Sequence, residues 1–517
     1  MEQTILWADD EMDLLKPHLL FLNEKGYKVI TANNGQDAID LLKKNDVDIV
    51  LLDENMPGIS GLETLSKMKN LYPEIPVVMI TKSEEESIME DAIGSKIADY
   101  LIKPVNPKQI LLAIKKNLDN KRLISEKTNV GYQQDFRNIG MSLNDRLDVT
   151  EWKELYKRIV YWELEIEKNE DKSMMEILKS QRMEANAQFC KFIEKNYLSW
   201  VNGTSDDIPL MSHKLMKDKI LPALEKENCA FVLLIDNLRY DQWKTIQPII
   251  SQYYKVEEDE QFFGILPTAT QYARNAIFSG LMPSEIAKRH PKLWVDDEEE
   301  GGKNLHEEEL FAEQLKRLGK NIKFSYNKIT NIAAGKNLVD NLPNLLQNKL
   351  NIIVYNFVDM LSHARTEMEI IRELAEDEAA YRSVTKTWFE HSPLLDIIKY
   401  LSEKNIKVII TTDHGTVHVT EATKIIGNRD TNSNLRYKTG KALEYNKKEV
   451  FEIKNPQDAF LPKQHISSLY IFAKENKFFA YPNNYNHYVN YYKNTFQHGG
   501  VSLEEIIIPI ITLSSKA

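Results

Sequence analysis

Three short apolar runs in the C-terminal part of the chain each lead into an aspartate. FVLLI precedes Asp236, IIVYNFV precedes Asp359 and KVIITT precedes Asp413. Runs of this length and content are typical of buried parallel strands. In open α/β sheets, ligands bind just beyond the carboxyl ends of such strands. The pattern therefore predicts an α/β fold in which three carboxylates meet at one edge of a parallel sheet.

Histidines accompany these carboxylates. His363 follows Asp359 by one helical turn, His414 directly follows the third aspartate, and His498 stands in a late His-Gly-Gly. Imidazole and carboxylate together suit zinc, with manganese and iron as alternatives. A single aspartate after a strand is often only a helix cap or a turn residue, so the prediction of a phosphoesterase metal site depends on the whole set. His418 is a competing ligand if the segment after His414 is helical.

The chain also offers a nucleophile for such a site. The apolar run FFGIL is followed by PTAT at 267–270 and then by a predicted helix, QYARNAIFSGL. A hydroxyl at a strand-to-helix turn lies where helix N–H groups favour a phosphate, and a bound cation makes its alkoxide accessible near neutral pH. Thr270 and Thr268 are both candidates. Arg274 and Asn275, in the first turns of the helix, are candidates to hold the non-bridging oxygens of the phosphate.

The order of these motifs resembles the alkaline-phosphatase superfamily, specifically its PglZ branch, over roughly residues 206 to 517. The resemblance implies two zinc ions and a nucleophile at Thr270, the second threonine of the P-T-x-T pattern, which would be transiently phosphorylated. One ion would be held by Asp359, His363 and His498. The other would be held by Asp236, Asp413, His414 and the Oγ of Thr270. A degenerate, metal-free pseudoenzyme is the alternative.

Residues 1 to about 119 alternate apolar runs with amphipathic stretches, from TILWA through VDIVLLD to ADYLIK. This rhythm predicts a second, doubly wound α/β unit. Its strand ends carry Asp9 and Asp10, then Asp53, Thr81 and Lys103. Adjacent acids that face a third acid can hold Mg²⁺, which offsets the charge of a phosphoryl group moving onto Asp53. Thr81 and Lys103 can contact the oxygens of that group.

The motifs DDE, DENMPG and YLIKP in this order resemble a response-regulator receiver domain. The resemblance implies a flavodoxin-like fold, phosphorylation of Asp53 and a sensor histidine kinase as partner. It also implies that Mg²⁺ is held by Asp10 and the carbonyl of Asn55, with Asp9 assisting. Thr81 and Tyr100 would form the pair of residues that switches conformation on phosphorylation. An acidic loop cluster without chemistry is the alternative.

A helical connector is predicted between the two units. Trp152, Leu155 and Ile159 recur at helical spacing, and such stripes are usually core or helix-pairing faces. We expect an all-α bundle of three or four helices that ends near NGTSDD at 202–207. The predicted domains are therefore residues 1–119, 120–205 and 206–517.

Bulk composition limits the class of protein. With 517 residues, 42% hydrophobic and 28% charged, the chain has room for three soluble domains. Two cysteines fit a reducing compartment, and the longest late apolar run, IIIPIITL, is too short to span a bilayer. No signal peptide is predicted, so a cytoplasmic protein is expected. The net charge of −11 argues against binding to duplex DNA.

The substrate prediction depends on aromatic residues that precede His498. These residues are Tyr481, Tyr485, Tyr488, Tyr491, Tyr492 and Phe496. Aromatic rings beside a phosphate site can stack bases, which favours a phosphodiesterase acting on nucleotides or on short or cyclic oligonucleotides. A tyrosine-rich structural insertion packed on the core is the alternative.

The arrangement of receiver, helices and PglZ region resembles a family of response regulators associated with the type IX secretion system. The resemblance implies partners among sigma factors or secretion components. The receiver chemistry predicts a phosphorylation-dependent homodimer that forms through the Tyr100 face and the helix starting at Pro107. A phospho-switched binding module with a structural metal site is the competing function.

Overall fold

The computed structural model describes residues 3–82, 97–169, 172–296, 302–367, 377–427, 432–463, 465 and 467–516, and for residues 119–130, 172 and 363–367 it describes the backbone alone. The chain divides into two compact units, Met1–Gln133 and Gln134–Ala517. In the described parts of the chain, no helix combines the length and the apolar content needed to cross a membrane.

The first unit contains a five-stranded parallel sheet in the order β2-β1-β3-β4-β5. The strands are Thr4–Ala8 (β1), Lys28–Ala32 (β2), Ile49–Asp53 (β3), Val77–Thr81 (β4) and Asp99–Ile102 (β5). The first helices are Lys16–Glu24 (α1), Gly35–Leu42 (α2) and Gly61–Leu71 (α3), with a 3-10 turn at Met12–Leu15. This is the flavodoxin-like strand order, so the predicted doubly wound fold is confirmed.

The three central strands β1, β3 and β4 are buried along their whole length, which explains why they are largely apolar. Along β1, Ile5 and Trp7 enter one apolar cluster, and Leu6 and Ala8 enter the other. Successive side chains of a strand point to opposite faces, so each of these strands supplies both cores. The polar residues that follow the strands are left at the carboxyl edge.

The connector is helical. Its helices are Pro107–Asn144 (α4), Val149–Lys168 (α5) and Lys172–Val201 (α6). The predicted boundary at residue 119 lies within α4, which is a single continuous helix. α5 begins with a capping box, in which Asp148 accepts from the N–H of Glu151 and the Glu151 side chain accepts from the N–H of Asp148. The predicted apolar stripe on this helix, including Trp152, is buried.

The second unit is built on a six-stranded sheet with many helices around it. Its strands, in chain order, are Ala230–Ile235 (β6), Tyr254–Phe263 (β7), Phe324–Ile329 (β8), Leu350–Tyr355 (β9), Lys407–Thr411 (β10), Val417–Val419 (β11), Glu421–Ile426 (β12), Tyr437–Gly440 (β13), Glu444–Tyr445 (β14), Val450–Ile453 (β15), Leu469–Ala473 (β16), Lys477–Ala480 (β17), Thr495–Gln497 (β18) and Ile507–Ser515 (β19). Its helices are Leu221–Ala223 (α7), Tyr240–Ile250 (α8), Thr270–Ser279 (α9), Pro283–Arg289 (α10), Glu307–Arg317 (α11), Ile332–Leu345 (α12), Phe357–Glu367 (α13), Glu378–Glu390 (α14), Pro393–Glu403 (α15), Tyr485–Tyr492 (α16) and Leu503–Ile506 (α17), with shorter turns at Ser212–Lys214, Met216–Ile220 and Pro456–Ala459.

The main sheet has the order β7-β19-β10-β6-β9-β8. β10, β6, β9 and β8 run parallel, whereas β19 pairs antiparallel with β10 and with β7. All residues of β6 and β9 are buried, as the apolar runs predict. The smaller sheets β11-β18, β14-β12-β17 and β13-β16-β15 lie in the C-terminal part of the unit. The predicted multidomain α/β architecture is therefore confirmed.

Candidate active site

Three neighbouring strands of the main sheet end at the candidate site. β6 pairs in parallel with β10 on one side and β9 on the other, so their carboxyl ends lie side by side. Asp236 directly follows β6, and Asp413 and His414 follow β10. One ligand atom from each of these three residues lies within 4.8 Å of the other two, and all three residues are buried. The sheet thus brings together three of the predicted metal ligands.

Thr270 presents a hydroxyl to this cluster. It is the first residue of α9, and its Oγ1 lies 2.9 Å from Nε2 of His414 and 3.5 Å from Oδ1 of Asp236. The other candidate, Thr268, is fully buried, and its hydroxyl donates to the carbonyl oxygen of Gly500 at 3.0 Å. Of the two threonines, Thr270 is the one whose hydroxyl faces the cluster.

Asp359 and His498 lie beside the first group. Oδ1 of Asp359 is 3.7 Å from Nε2 of His498, and the rings of His498 and His414 stack with their centroids 4.3 Å apart. The prediction that Asp359 directly follows a strand is wrong in detail. β9 ends at Tyr355 and α13 begins at Phe357, so the aspartate lies in the first turn of a helix.

Backbone carbonyls orient both described imidazoles. Nδ1 of His414 lies 3.1 Å from the oxygen of Gly415, and Nδ1 of His498 lies 3.1 Å from the oxygen of Thr268. A carbonyl oxygen can only accept, so Nδ1 is the donor in each contact, and in a neutral ring this leaves Nε2 as the nitrogen that can bind a metal ion. Metal-binding histidines are commonly oriented in this way. The third predicted imidazole, His363, is on α13, but its side chain lies outside the described residues.

Arg274 and Asn275 have different partners from those expected. The guanidinium of Arg274 is buried, with Nη1 2.8 Å from Oδ2 of Asp236 and Nε 2.6 Å from Oε1 of Glu307. Asn275 donates to the carbonyl of Lys303 at 3.2 Å. Neither side chain is presented to a phosphate in this structure, because the buried acids and the loop before α11 engage their polar groups.

The electrostatics of the cluster fit a cation. Burial raises the pKa of Asp236 to about 6, although Arg274 lowers it, and Asp413 raises it further. Oδ2 of Asp413 is buried and accepts no hydrogen bond from the described residues, with Nη1 of Arg274 3.8 Å away and Nε2 of His414 3.9 Å away. Carboxylate oxygens and an imidazole lone pair are donors that zinc accepts. These residues therefore fit a divalent metal ion.

Asn237 joins the two groups of ligands and was not predicted. Its φ of 65° is in the left-handed region, which asparagine tolerates better than most residues. Its backbone N–H donates to Oδ1 of Asp413 at 3.3 Å, and its Nδ2 lies 3.5 Å from Oδ1 of Asp359. The sequence signal for this role is an asparagine directly after the strand-end aspartate.

The competing ligand His418 does not meet its condition. The segment after His414 forms the strand β11 rather than a helix. The ring of His418 packs near Phe496, with centroids 5.0 Å apart. It is therefore not one helical turn from His414.

The aromatic residues before the late His-Gly-Gly are used largely in packing. Tyr485 and Tyr492 of α16 pack against a small buried apolar cluster. Phe496 is buried and stacks on Tyr381, with centroids 4.0 Å apart. Tyr488 is 40% exposed. Tyr485, Tyr492 and Phe496 therefore serve packing, as the alternative interpretation expects, and Tyr488 is exposed enough to stack a base.

The first unit contains a comparable acid cluster at its own carboxyl edge. One oxygen each from Asp9, Asp10 and Asp53 lies within 4.8 Å of the other two, with Asp10 exposed and the other two residues buried. Nζ of Lys103 lies 2.8 Å from Asp9 and 3.0 Å from Asp53. Burial raises the pKa of Asp53, against the lowering effect of Lys103. Burial acts to lower the pKa of Lys103, but its hydrogen bonds to the two acids outweigh this and raise it.

The remaining receiver residues lie around this pocket at different depths. Thr81 ends β4, is buried, and its carbonyl accepts from the N–H of Lys103 at 2.7 Å. Asn55 is exposed in the loop after β3. Tyr100, on β5, is 37% exposed.

Family models match three consecutive stretches of the chain. The response regulator receiver domain matches residues 5–115, and the PorX response regulator linker domain matches residues 122–201. The BREX system PglZ alkaline phosphatase-like domain matches residues 215–513. These matches confirm the predicted combination of a receiver, a helical linker and a PglZ region.

Two similar proteins match between a fifth and a quarter of this chain. The alginate biosynthesis transcriptional regulatory protein AlgB of Pseudomonas putida is 36% identical over 119 residues, which is 23% of this chain and 27% of that protein. The response regulator SaeR of Staphylococcus aureus is 34% identical over 110 residues, which is 21% of this chain and 48% of SaeR. The chain thus covers about a quarter to a half of the length of these relatives.

Solved structures also match over the receiver part. A CheY-like receiver domain from Methanospirillum hungatei JF-1 is 27% identical, with 23% of this chain and 96% of that chain covered and a TM-score of 0.23. The PglZ match, by contrast, spans more than half of the chain. The chain therefore belongs to the BREX system PglZ alkaline phosphatase-like family, and it carries a response regulator receiver domain on the N-terminal side of its PglZ domain.

Proposed function

We propose that this chain is a two-component response regulator whose output is a zinc-dependent phosphoesterase with Thr270 as its nucleophile. The observation that carries the proposal is the hydroxyl of Thr270, 2.9 Å from Nε2 of His414 at the edge of a buried acid cluster. A purely structural zinc site is closed by four protein ligands and needs no reactive hydroxyl. The PglZ match supports the phosphoesterase class.

Two groups of residues would hold the metal ions. Asp236, Asp413, His414 and the Oγ of Thr270 would hold one, and Asp359, His498 and His363 would hold the other. Imidazole with carboxylate favours zinc over magnesium or calcium. A bound divalent ion supplies positive charge that makes an alkoxide accessible and offsets the charge of the phosphoryl oxygens.

The residues of the chain then position the reacting groups. The Oγ of Thr270 forms a bond to phosphorus while the bond from phosphorus to the leaving oxygen breaks, and the leaving group takes up a proton. Water then breaks the phosphothreonine bond and restores the hydroxyl. Asn237 fixes the carboxylates of Asp413 and Asp359 through its backbone N–H and its amide. Arg274 contacts Oδ2 of Asp236, so the other carboxylate oxygen, Oδ1, is the one that faces Thr270.

We infer a phosphodiester substrate of the nucleotide or short oligonucleotide class. Tyr488 is the member of the aromatic set with the most exposed ring, and a ring of this kind can stack a base. Replacing Tyr488 with Ala should raise KM for a dinucleotide and leave KM for a small aryl diester unchanged. Equal KM values for the dinucleotide in both proteins would remove the argument for a nucleotide.

The input would be phosphorylation of Asp53 by a sensor histidine kinase. Response regulators receive their phosphoryl group from such kinases, and the receiver match supports this step. Mg²⁺ would be held by Asp10 and the carbonyl of Asn55, with Asp9 assisting. Lys103 lies 3.0 Å from Asp53, where it can pair with the added charge, and Thr81 with Tyr100 would form the switch pair.

Downstream, we infer a phosphorylation-dependent homodimer and a role in type IX secretion. The dimer would use the exposed Tyr100 and the helix that begins at Pro107, and the partners would be a sigma factor or secretion components. Light scattering with Mg²⁺ and beryllium fluoride should show a doubled mass, and an unchanged mass counts against the dimer. The match to the PorX response regulator linker domain supports the resemblance from which this role is inferred.

The proposed activity is tested by comparing the zinc-loaded protein with its Thr270→Ala and Thr270→Ser variants on an aryl phosphodiester and an aryl phosphomonoester. Thr270→Ala should abolish turnover. Its zinc content at saturating zinc should stay close to that of the wild type, because Asp236, Asp413 and His414 remain to hold the ion. Thr270→Ser should retain part of the activity. Undiminished turnover in Thr270→Ala would exclude Thr270 as the nucleophile.

A phospho-switched binding module is the second candidate function. Arg274 already pairs with Asp236 and lies 3.8 Å from Asp413, so the acid cluster has a permanent counter-charge. Such a cluster can serve structure alone. Bound zinc with no turnover on either ester, or on short oligonucleotides, would favour this function.

A further inference from the structure

A buried network of charges lies in the second unit, away from the ligands themselves. It consists of three arginines and five acids, which are Arg182, Arg239 and Arg382 with Glu163, Glu167, Asp241, Glu378 and Glu504. Most of these side chains are almost completely shielded from solvent. The network combines residues of the linker helices with residues of the PglZ region.

The linker helix α6 provides its central contacts. Arg182 donates to Glu504 at 2.7 Å and to Glu378 at 2.8 Å. One turn later, Asn186 donates to both oxygens of Glu504 at 3.2 and 3.0 Å and accepts from the N–H of Leu503 at 2.8 Å. The carboxylate of Glu504 is thus held by two side chains of one linker helix.

Glu504 in turn lies against the backbone that carries His414. A Cβ added to Gly415, the next residue, would stand 1.9 Å from the carbonyl oxygen of Glu504. The two segments are therefore in direct contact, and a shift of Glu504 would displace the loop of His414. Backbone hydrogen bonding continues this contact, since the N–H of Gly415 lies 3.3 Å from the carbonyl of Glu505.

Arg239 makes the second connection between the network and the ligand loops. It stands three residues after Asp236, donates to Asp241 at 2.8 Å and lies 3.5 Å from Glu378. Its guanidinium also covers the ring of Phe496 at 5.6 Å, two residues before His498. The loops of Asp236, His414 and His498 therefore all adjoin the network.

We propose that Arg182 and Asn186 of the linker are positioning residues for the metal centre, which they hold in place through Glu504. This inference rests on the proposed function. Buried ion networks often contribute little net stability, and in some proteins they select one arrangement among several. A cavity of about 600 Å³ borders the network and is lined in part by Met175, Met183 and Asn494. A displacement of α6 would move Glu504 and, through it, the loop of His414, and would thereby alter the metal affinity of the site.

The test compares four variants with the wild type in the full-length protein. Asn186→Ala, Arg182→Gln and Arg182→Lys change the network. Arg158→Gln is the matched control, because it removes a positive charge from the linker whose partner, Asp135, also lies in the linker. Zinc affinity is measured by competition with a chelating dye, ligand geometry from the visible absorption of the Co²⁺-loaded protein, and turnover on the aryl diester.

We expect Asn186→Ala and Arg182→Gln to weaken zinc binding by up to about 10-fold, the lower end of the effect of losing a residue that contacts a ligand directly, because both act on the His414 loop through Glu504. The Co²⁺ spectrum should change with it, and Arg182→Lys should recover part of the loss. Arg158→Gln should match the wild type. If Arg182→Gln does not fold, Asn186→Ala, which changes no charge, still tests whether the linker positions the metal centre.

The outcomes separate this inference from the proposed activity. Wild-type protein that binds zinc without turnover on the aryl esters and on short oligonucleotides would count against the esterase, and the affinity comparison would still decide the inference. Wild-type zinc affinity and Co²⁺ spectra in Asn186→Ala and the folded Arg182 variants would overturn the inference even if the esterase is active. A wild-type protein that binds no zinc would overturn both.

Discussion

The receiver pocket and the PglZ site have the same plan and different surroundings. Each gathers three groups that could hold a metal ion at the carboxyl edge of parallel strands, and each has a basic side chain paired with an acid. In the receiver this pair is Lys103 with Asp53 at 3.0 Å, and in the PglZ site it is Arg274 with Asp236 at 2.8 Å.

The difference lies in exposure and in ligand type. Asp10 of the receiver cluster is exposed, whereas all three members of the PglZ cluster are buried. The receiver cluster contains only carboxylates, which suit Mg²⁺, and the PglZ cluster includes His414, which suits zinc. An open carboxylate pocket can accept a phosphoryl group from a large partner. A buried pocket with a hydroxyl at its edge is suited to nucleophilic displacement on a phosphoryl group that enters the pocket.

The largest effect is expected from Asp53→Asn, which should abolish phosphorylation of the receiver without affecting the PglZ site. Asp53 is the only member of the receiver cluster that ends a strand beside Lys103, and an amide cannot accept a phosphoryl group to form an acyl phosphate. Incubation with acetyl phosphate and Mg²⁺ should give no phosphorylated species by intact mass, while the wild type gains one. Zinc binding should be unaffected, and a phosphorylated variant would place the acceptor elsewhere.

A buried ligand of the PglZ site should give the next largest effect. Asp413→Asn removes the charge of a fully buried carboxylate, and losing a direct ligand should weaken zinc binding by more than the about 10- to 100-fold typical of outer-shell contacts. The loss is measured as the zinc content of the purified variant and as its turnover of the aryl diester. Asp396→Asn, an exposed acid on α15, makes the same chemical change as a control. Full zinc content in Asp413→Asn would contradict the proposed ligand set.

Metal removal should distinguish the two sites by ion. At about 100 times its Kd, a ligand that binds only the native state stabilises it by about 2.7 kcal/mol, which corresponds to several degrees in Tm. We expect scanning calorimetry to show a larger zinc shift in the wild type than in Asp413→Asn, because the variant keeps only the group formed by Asp359, His363 and His498. Mg²⁺ should give a similar small shift in both proteins. Zinc shifts of equal size in the two proteins would show that Asp413 does not hold zinc.

The smallest effect concerns the buried surroundings of the PglZ site. Burial raises the pKa of Glu163 to about 7, although Arg182 and Arg382 lower it, with Glu378 and Asp241 raising it again. The native state therefore keeps a proton that the unfolded state loses near pH 4.5, so the free energy of unfolding should fall as pH rises from about 4.5 to about 7. The slope is at most about 1.4 kcal/mol per pH unit.

Glu163→Gln provides the measurement for this last prediction. The glutamine has no proton to lose, so urea unfolding between pH 5 and pH 8 should show a flatter pH dependence than in the wild type. Parallel curves for the two proteins would show that Glu163 is ionised throughout this range.

Much of the fold could be predicted because apolar runs report burial directly. The runs before Asp236 and Asp413 form strands β6 and β10 as expected, and the helix after PTAT begins at Thr270. The error at Asp359 has a simple cause. The apolar residues Phe357 and Val358 continue the run, but they belong to the first turn of a helix, and hydrophobicity alone does not separate a strand from a buried helix start.

The roles of polar residues were harder to predict, because their partners are distant in sequence. Arg274 was expected to face a phosphate, but it pairs with Glu307, from a different helix, and with Asp236. His418 depended on a helix, but the pairing of β11 with β18 makes that segment a strand. In both cases the decisive contact joins segments that no local pattern relates.

The sequence by itself determined which residues can do chemistry and in what order they follow the strands, since strand formation depends on local apolar content. The resemblance already favoured Thr270 over Thr268, and the tertiary structure shows that its hydroxyl faces His414. Only the tertiary structure decided that Arg274 pairs with Asp236 and that a linker helix holds Glu504 beside the His414 loop. These arrangements depend on burial and on charge pairing between segments far apart in the chain. The free energy of such pairs is set by the surroundings that the whole fold provides.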